Sequence, residues 1–275
     1  MPMRSLQSKS LIFDVYGAYV RDLGGWISIA NLITLVRQLG PDEQVVRSSV
    51  SRFAGKGLLA RRKTNGQVGY QLTERAMAML AEGDDRIFKR LEPADLDHGW
   101  VLVTFSVPEE IRAARHQLRT RLTLLGFGNL SNGLWIAPHR AMTRAIQTVA
   151  DLGLQAHVDL FKAHHHAFGD ERTLVERCWD IPAIAAAYHD FLIDFAPVSK
   201  RVFDDVDPAT AFVEYTLALH RWRKLPYVDP GLPGELLPDD WEGTQAAALF
   251  NQLRARLEPL ARQHVLTTVV PQPTA

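Results

Sequence analysis

Apolar residues recur at helical spacing from Ser8 to Val20, at Leu11, Ile12, Val15, Tyr16, Tyr19 and Val20, and Gly24–Gly25 interrupts the run. A second amphipathic helix is predicted over 28–39, with Ile29, Leu32, Ile33 and Val36 on one side. Gly40–Pro41–Asp42 is a turn whose Pro and Asp suit a helix start. A third helix over 43–56 places Val46, Val50 and Phe53 inward and is closed by Gly57. Extended runs at 58–63 and 68–72 flank Asn65–Gly66, a strong short-range hairpin signal that pairs Thr64 with Gln67 and Leu59 with Leu72. Helix, turn, helix and ribbon in this order predict a winged helix-turn-helix over residues 1–90.

The pattern then changes. A strand at 100–105, a helix running to Leu125, a β segment from Gly126 to Ile136 turning at Asn132–Gly133, a helix over 140–152 and a strand over 155–162 make a βαββαβ order. That order predicts a ferredoxin-like α/β sandwich for residues 91–170. From 171 to 275 the chain reads as a helical domain, with helices over 173–179, 182–195, 208–224 and 241–264. Three prolines stiffen the intervening segment 229–241. The predicted fold class is therefore α+β and multidomain.

Composition changes this picture only through its distribution. Formal charge is zero, yet residues 1–90 hold 14 Lys and Arg against 8 Asp and Glu, and the remainder holds 17 against 23. A basic head on an acidic body points to nucleic acid. On the third helix Arg47, Ser48, Ser51, Arg52 and Lys56 share the outward side. Small hydroxyls let a helix sit deep in the major groove, while arginines reach guanine edges or phosphates. Arg61, Arg62 and Lys63 on the ribbon are placed for backbone phosphates. The competing readings are a solvated helix face and a ribbon whose charges blunt an exposed edge. The order of the two features, a serine/arginine helix followed directly by a basic hairpin, favours DNA.

The signals for chemistry are weak. The first strand of the middle domain ends in Thr104–Phe105–Ser106, without the carboxylate a metal nuclease of this architecture needs there. His164–His165–His166 with His157 is the one metal-like cluster, and adjacent histidines diverge too much to chelate one ion well. Glycine-rich phosphate loops and G-x-S-x-G or H-E-x-x-H motifs are missing, so neither an enzyme nor a bound cofactor is expected. The single cysteine, Cys178, is read as a packing residue in a reducing, cytoplasmic setting. His220, Arg221, Trp222, Arg223 and Tyr227, followed by Asp229 and Trp241, combine cations with aromatic rings. The combination suits an acidic, partly aromatic ligand or a protein interface, although a buried core with surface salt bridges explains it as well.

Laid end to end, these segments resemble the PaaX family of repressors of phenylacetate catabolism over residues 8–265. The resemblance is carried by SLIFDVYGAYV (10–20), VVRSSVSRFAGKGLL (45–59) and YQLT (70–73), then by WVLVTFSVPEEIRAARHQLRTRLTLLGFGNLSNGLWIAP (100–138), CWDI (178–181) and LHRWRKLPYVDPGLPGELLPDDWEG (219–243). It implies a homodimeric repressor on inverted-repeat operator DNA, released by an aryl-acetyl-coenzyme A thioester such as phenylacetyl-CoA. On that reading residues 220–223, 227, 229 and 241 hold the effector, and Arg112, Arg115 and Arg119 of the middle helix supply a second wall. A nucleic-acid-docking enzyme or an adaptor protein with the same head is the alternative.

Overall fold

The computed structural model describes residues 5–89, 93–166, 168–201 and 206–269. They form two compact units. The first takes the chain up to Lys89, Phe191–Arg223 and the chain from Ala247 onward; the second takes the residues between. The fold is mixed α+β with two antiparallel sheets.

In the first unit, α1 (Ser5–Val15) widens by one residue per turn over Tyr16–Val20 before the chain turns. Strand β1 (Trp26–Ser28) leads into α2 (Ile29–Gln38), with the Ser28 hydroxyl accepting from Asn31 N at 3.1 Å as N-cap. Helix α3 (Glu43–Gly55), hairpin β2 (Leu59–Thr64) and β3 (Gln67–Leu72), and α4 (Glu74–Phe88) follow. The sheet order is β1-β3-β2. Strand β1 is absent from the sequence expectation, because three residues are too few to show an alternation.

The apolar stripe of the first helix is buried as expected: Leu11, Ile12, Val15, Tyr16, Tyr19 and Val20 are all at most 1% exposed. Asp14 on the same helix is buried too. The reason is α9 (Pro208–Trp222), which packs on α1 in addition to α2 and α3. Both oxygens of the Asp14 carboxylate are engaged: His220 Nδ1–H donates to Oδ2 at 2.6 Å, and Arg223 Nε lies 2.6 Å from Oδ1. Nearby, the Tyr19 hydroxyl donates to Thr216 Oγ1 at 2.8 Å, and the Thr216 hydroxyl donates to the Phe212 carbonyl at 2.6 Å. From α11 (Gly243–Val269), Arg262 pairs with Asp22 at 2.6 Å and His264 Nε2 meets Gln38 Oε1 at 2.9 Å.

In the second unit β4 (Trp100–Phe105), β5 (Gly128–Ser131), β6 (Leu134–Pro138) and β7 (Val158–Ala163) form an antiparallel sheet in the order β5-β6-β4-β7. Val101, Val103 and Trp135 on one face pack against Leu118 and Leu122 of α5 (Arg112–Leu124) and Ala145 and Val149 of α6 (Met142–Asp151). Trp179 approaches Trp100, with ring centroids 6.1 Å apart, and donates from Nε1 to the Gly126 carbonyl at 3.0 Å. Helix α7 (Glu171–Cys178) and the first half of α8 (Ile181–Arg201) belong here. So does the segment 224–246, which opens with the short α10 (Leu225–Val228).

Two features lie beyond the local periodicity. By contacts, Phe191–Arg223 and the chain from Ala247 onward fall in the first unit, while Lys224–Ala246 falls in the second. Helix periodicity reports that a face is buried but not which partner buries it. Helix ends also shift. Pro197 and Pro259 lie inside α8 and α11 rather than ending them. Val198, Leu257, Ala261 and Val265 are buried around these prolines, and tertiary packing outweighs one lost backbone bond.

The Asp14 cluster makes a stability prediction. Asp14→Ala strands a buried imidazole and a partly buried guanidinium, and removing one partner of such a set costs about 3–5 kcal/mol. Glu43→Ala removes an exposed ion pair and should cost under about 1 kcal/mol. Urea unfolding of the two variants measures the difference; equal losses would refute it.

Candidate nucleic-acid interface

Helix α3 begins where the Asp42 carboxylate accepts from Val45 N at 2.8 Å, an N-cap that fixes the direction of the helix. Val46, Ser49 and Val50 are buried against the first unit, and Phe53 packs on Phe13 of α1 with ring centroids 5.5 Å apart. The opposite side carries Arg47, Ser48, Ser51 and Arg52, all exposed, and exposed Lys56 follows as C-cap. The structure thus brings the five together on one helix face and its end. Arg47 folds back along the helix: its Nε and Nη2 both lie 2.7 Å from Glu43 Oε1, with the side chains 56% and 52% exposed. Such a pair is worth only tenths of a kcal/mol, roughly 0.3–0.5, so an incoming phosphate or base edge can take the guanidinium at little cost.

The hairpin follows α3 directly and packs on it through β2. Its turn is Asn65–Gly66, with φ of 49° and 79°, both left-handed as a tight two-residue hairpin turn requires. The register pairs Arg61 with Tyr70, Arg62 with Gly69 and Lys63 with Val68. Alternation puts Arg61 and Lys63 on the face of buried Leu59 and Leu72, and Arg62 on the other. The second face is occupied by Trp26 of β1. A Cβ on Gly69 would collide with the Ile27 carbonyl oxygen and the Trp26 indole, and Trp26 Nε1 reaches the Arg62 carbonyl at 3.4 Å. Trp26 is a positioning residue for the ribbon that sequence reading missed. Its signal was an aromatic and an isoleucine between Gly24–Gly25 and the Ser28 cap.

The residues expected to hold a ligand are divided between the two units. His220 is 1% exposed and spent on Asp14, as is Arg223. Arg221 pairs with Asp194 at 2.6 Å. Trp222 is core: it stacks on Phe250 at 4.8 Å and 12°, and donates to the Ile87 carbonyl at 2.9 Å. These four belong to the first unit, whereas Tyr227, Asp229 and Trp241 belong to the second. There Asp229 accepts from the Tyr188 hydroxyl at 2.7 Å and from Gly231 N at 2.6 Å, and Trp241 packs edge-on against Tyr188. Arg140 of the same unit donates to the Pro230 and Gly231 carbonyls, so the proline segment is held by its own polar contacts. The rings in this stretch face protein neighbours, which periodicity and composition alone did not reveal. On α5, Arg112, Arg115, His116 and Arg119 line an open groove of about 390 Å³, with Arg115 paired to Glu109 at 2.7 Å.

Cys178 is half-buried, and burial pushes its thiol up to about 11 against the weaker opposing pull of Arg177. It is therefore protonated at neutral pH. The rings of His164 and His166 stand 6.2 Å apart, and no group of three His, Cys, Asp or Glu among the described residues is placed to hold a metal ion. No described helix is long and apolar enough to cross a membrane.

An exposed serine/arginine helix beside a basic two-stranded ribbon suits contact with nucleic acid, and comparison with known proteins gives the family. Three family models match successive stretches: PaaX-like protein over 7–76, PaaX protein central Cas2-like domain over 93–175, and PaaX-like protein C-terminal domain over 179–267. The chain belongs to the PaaX family. It is 28% identical over 258 residues to the transcriptional repressor PaaX of Escherichia coli (strain K12), spanning 92% of this chain and 81% of that protein. A solved structure, an uncharacterized protein Rv0674 from Mycobacterium tuberculosis, shares the fold with a TM-score of 0.59 and 24% identity, covering 91% and 96% of the two chains.

The buried thiol supplies a chemical check. With a thiol pKa of about 11, Cys178 in the folded protein should alkylate with iodoacetamide at pH 8 on the order of a hundredfold more slowly than free cysteine. Labelling at the rate of the urea-unfolded chain would contradict the packing described.

Proposed function

We propose that this protein is a DNA-binding transcriptional repressor of a phenylacetate-type aromatic catabolic operon, acting in the cytoplasm and without catalytic activity. The observation that carries the reading is the uncovered face of α3, with Arg47, Ser48, Ser51, Arg52 and Lys56 exposed, followed by a ribbon bearing Arg61 and Lys63 on one face and Arg62 on the other. In this reading the first 90 residues are a winged helix-turn-helix: α3 enters the major groove, Arg47 and Arg52 read base edges, and the ribbon grips phosphates. The β5-β6-β4-β7 order supports a ferredoxin-like sandwich for the middle segment. The similarity to a transcriptional repressor supports the regulatory role. Release by an aryl-acetyl-CoA thioester such as phenylacetyl-CoA follows from the family resemblance, and a thioester's phosphates need cations on the protein.

Sequencing the DNA selected by the purified protein, with and without phenylacetyl-CoA, tests the reading directly. On the selected site Arg47→Ala and Arg52→Ala should each cost about 1–3 kcal/mol and relax specificity. Arg61→Ala and Lys63→Ala should weaken binding to all sequences alike, lowering the salt slope by about 0.9 for each phosphate no longer neutralised. Unchanged affinity of the Arg47/Arg52 double variant at physiological salt would refute the recognition-helix assignment.

One short recognition helix reads few base pairs, so selectivity calls for two heads and an inverted repeat. Sedimentation should report a homodimer, and footprinting should protect two half-sites about one helical turn apart. A monomer protecting a single half-site would contradict this.

A further inference from the structure

Within the first unit a cavity of about 300 Å³ opens where the widened turn after α1 meets α4, α9 and α11. Ala18 and Arg21 line it from the α1 side, Phe88 and Lys89 from the end of α4, Tyr215 from α9 and Arg254 from α11. A shallower groove of about 450 Å³ along α11 shares Arg254, Glu258 and Arg262 with it. Together they reach the range of small-molecule sites, roughly 300–1,000 Å³.

Most of the charges lining the cavity are committed. Arg21 pairs with Asp84 at 2.6 Å and Lys89 with Asp85 at 2.6 Å. Arg262 spends its nitrogens on Asp22 and Glu258. Arg254 differs. Its Nε donates to Glu258 at 2.9 Å, and its guanidinium carbon lies 4.2 Å from the centroid of the Phe88 ring, so two contacts hold the head group in place. Its two terminal nitrogens form no hydrogen bond with the described residues. An oriented guanidinium with an open edge, shared by a cavity and a groove, is built to receive a carboxylate or phosphate in two parallel hydrogen bonds.

We propose that this cavity is the effector site of the repressor, with Arg254 holding an anionic group of the ligand and Phe88 and Tyr215 flanking it. The proposal rests on the regulatory reading above and gives it a location. It also supplies a route to DNA. The widened turn that bears Ala18 continues α1, and Phe13 of α1 packs on Phe53 of the recognition helix. A ligand wedged against the turn shifts the support of α3, and operator affinity falls by the factor with which the ligand prefers the non-operator state.

The test is equilibrium binding of phenylacetyl-CoA, coenzyme A and phenylacetate to the full chain and three variants. Arg254→Gln should weaken ligand binding roughly tenfold to a hundredfold, the loss expected for charge-assisted hydrogen bonds. Lys89→Glu alters an exposed side chain at the mouth, 73% accessible, and should weaken binding while leaving the melting temperature in place. Arg119→Ala tests the α5 groove that the sequence offers as a second wall: the cavity assignment expects it to bind as the parent does, and a loss of affinity there would overturn the assignment. Competition by coenzyme A assigns the anion to its phosphates, and competition by phenylacetate assigns it to a carboxylate. If the thioester binds and both Arg254→Gln and Lys89→Glu keep full affinity, the cavity assignment falls while the effector reading stands. If only phenylacetate binds, and Arg254→Gln abolishes it, the thioester reading falls while the cavity stands. A parent protein that binds none of the three overturns the assignment.

Discussion

The first unit depends on one buried carboxylate. Asp14 sits on a helix whose apolar stripe is already buried, and α9 covers the carboxylate that would otherwise be solvated. There the His220 imidazole of α9 hydrogen-bonds one of its oxygens and the Arg223 guanidinium at the end of α9 lies against the other. Taking a carboxylate out of water costs several kcal/mol, recovered only when the partners are charged, close and well aimed. The cluster therefore demands α9 in one place. The Tyr19–Thr216 hydrogen bond and the Arg262–Asp22 pair tie further points of the head to α9 and α11. Helix α3 is thus not carried by a free module: α1 packs on both α3 and α9 in one body.

This arrangement explains how the cations divide. Arg21, Arg221, Arg223 and Arg262 are drawn into pairs that hold the unit together. The cations of α3 and the ribbon are left on the surface, and Arg47 is restrained only by an exposed pair with Glu43. Cations that can leave their partners cheaply are the ones able to displace counterions from DNA. Trp26 against Gly69 limits how the ribbon can tilt, so Arg61 and Lys63 keep a fixed face. Positioning and charge come from different residues, which lets one be changed without losing the other.

The aromatic and cationic stretch at 220–241 is divided between the two units. His220, Trp222 and Arg223 belong to the core and the Asp14 cluster of one unit and Arg221 to an exposed pair with Asp194, while Asp229 and Trp241 brace the proline segment of the other. Arg254 stands on an otherwise ordinary helix and carried no sequence signal. Only its geometry, over the Phe88 ring with Nε held by Glu258, sets it apart.

The chain's own order of residues determined the local elements: the stripe of α1, the capped α2 and α3, the Asn65–Gly66 turn with its register, and the βαββαβ order of the middle. Each is set by contacts a few residues apart, through period, capping or left-handed φ, so each is written in a short window. The outward side of α3 was legible for the same reason, since burying Val46 and Val50 dictates where Arg47 and Ser51 point. Tertiary structure alone decided that α9 covers Asp14, how residues 171–275 are shared between two units, and which arginines remain open. These depend on pairs such as Asp14 with His220, 206 positions apart. A charged residue in a sequence window looks the same whether water or a distant partner will solvate it.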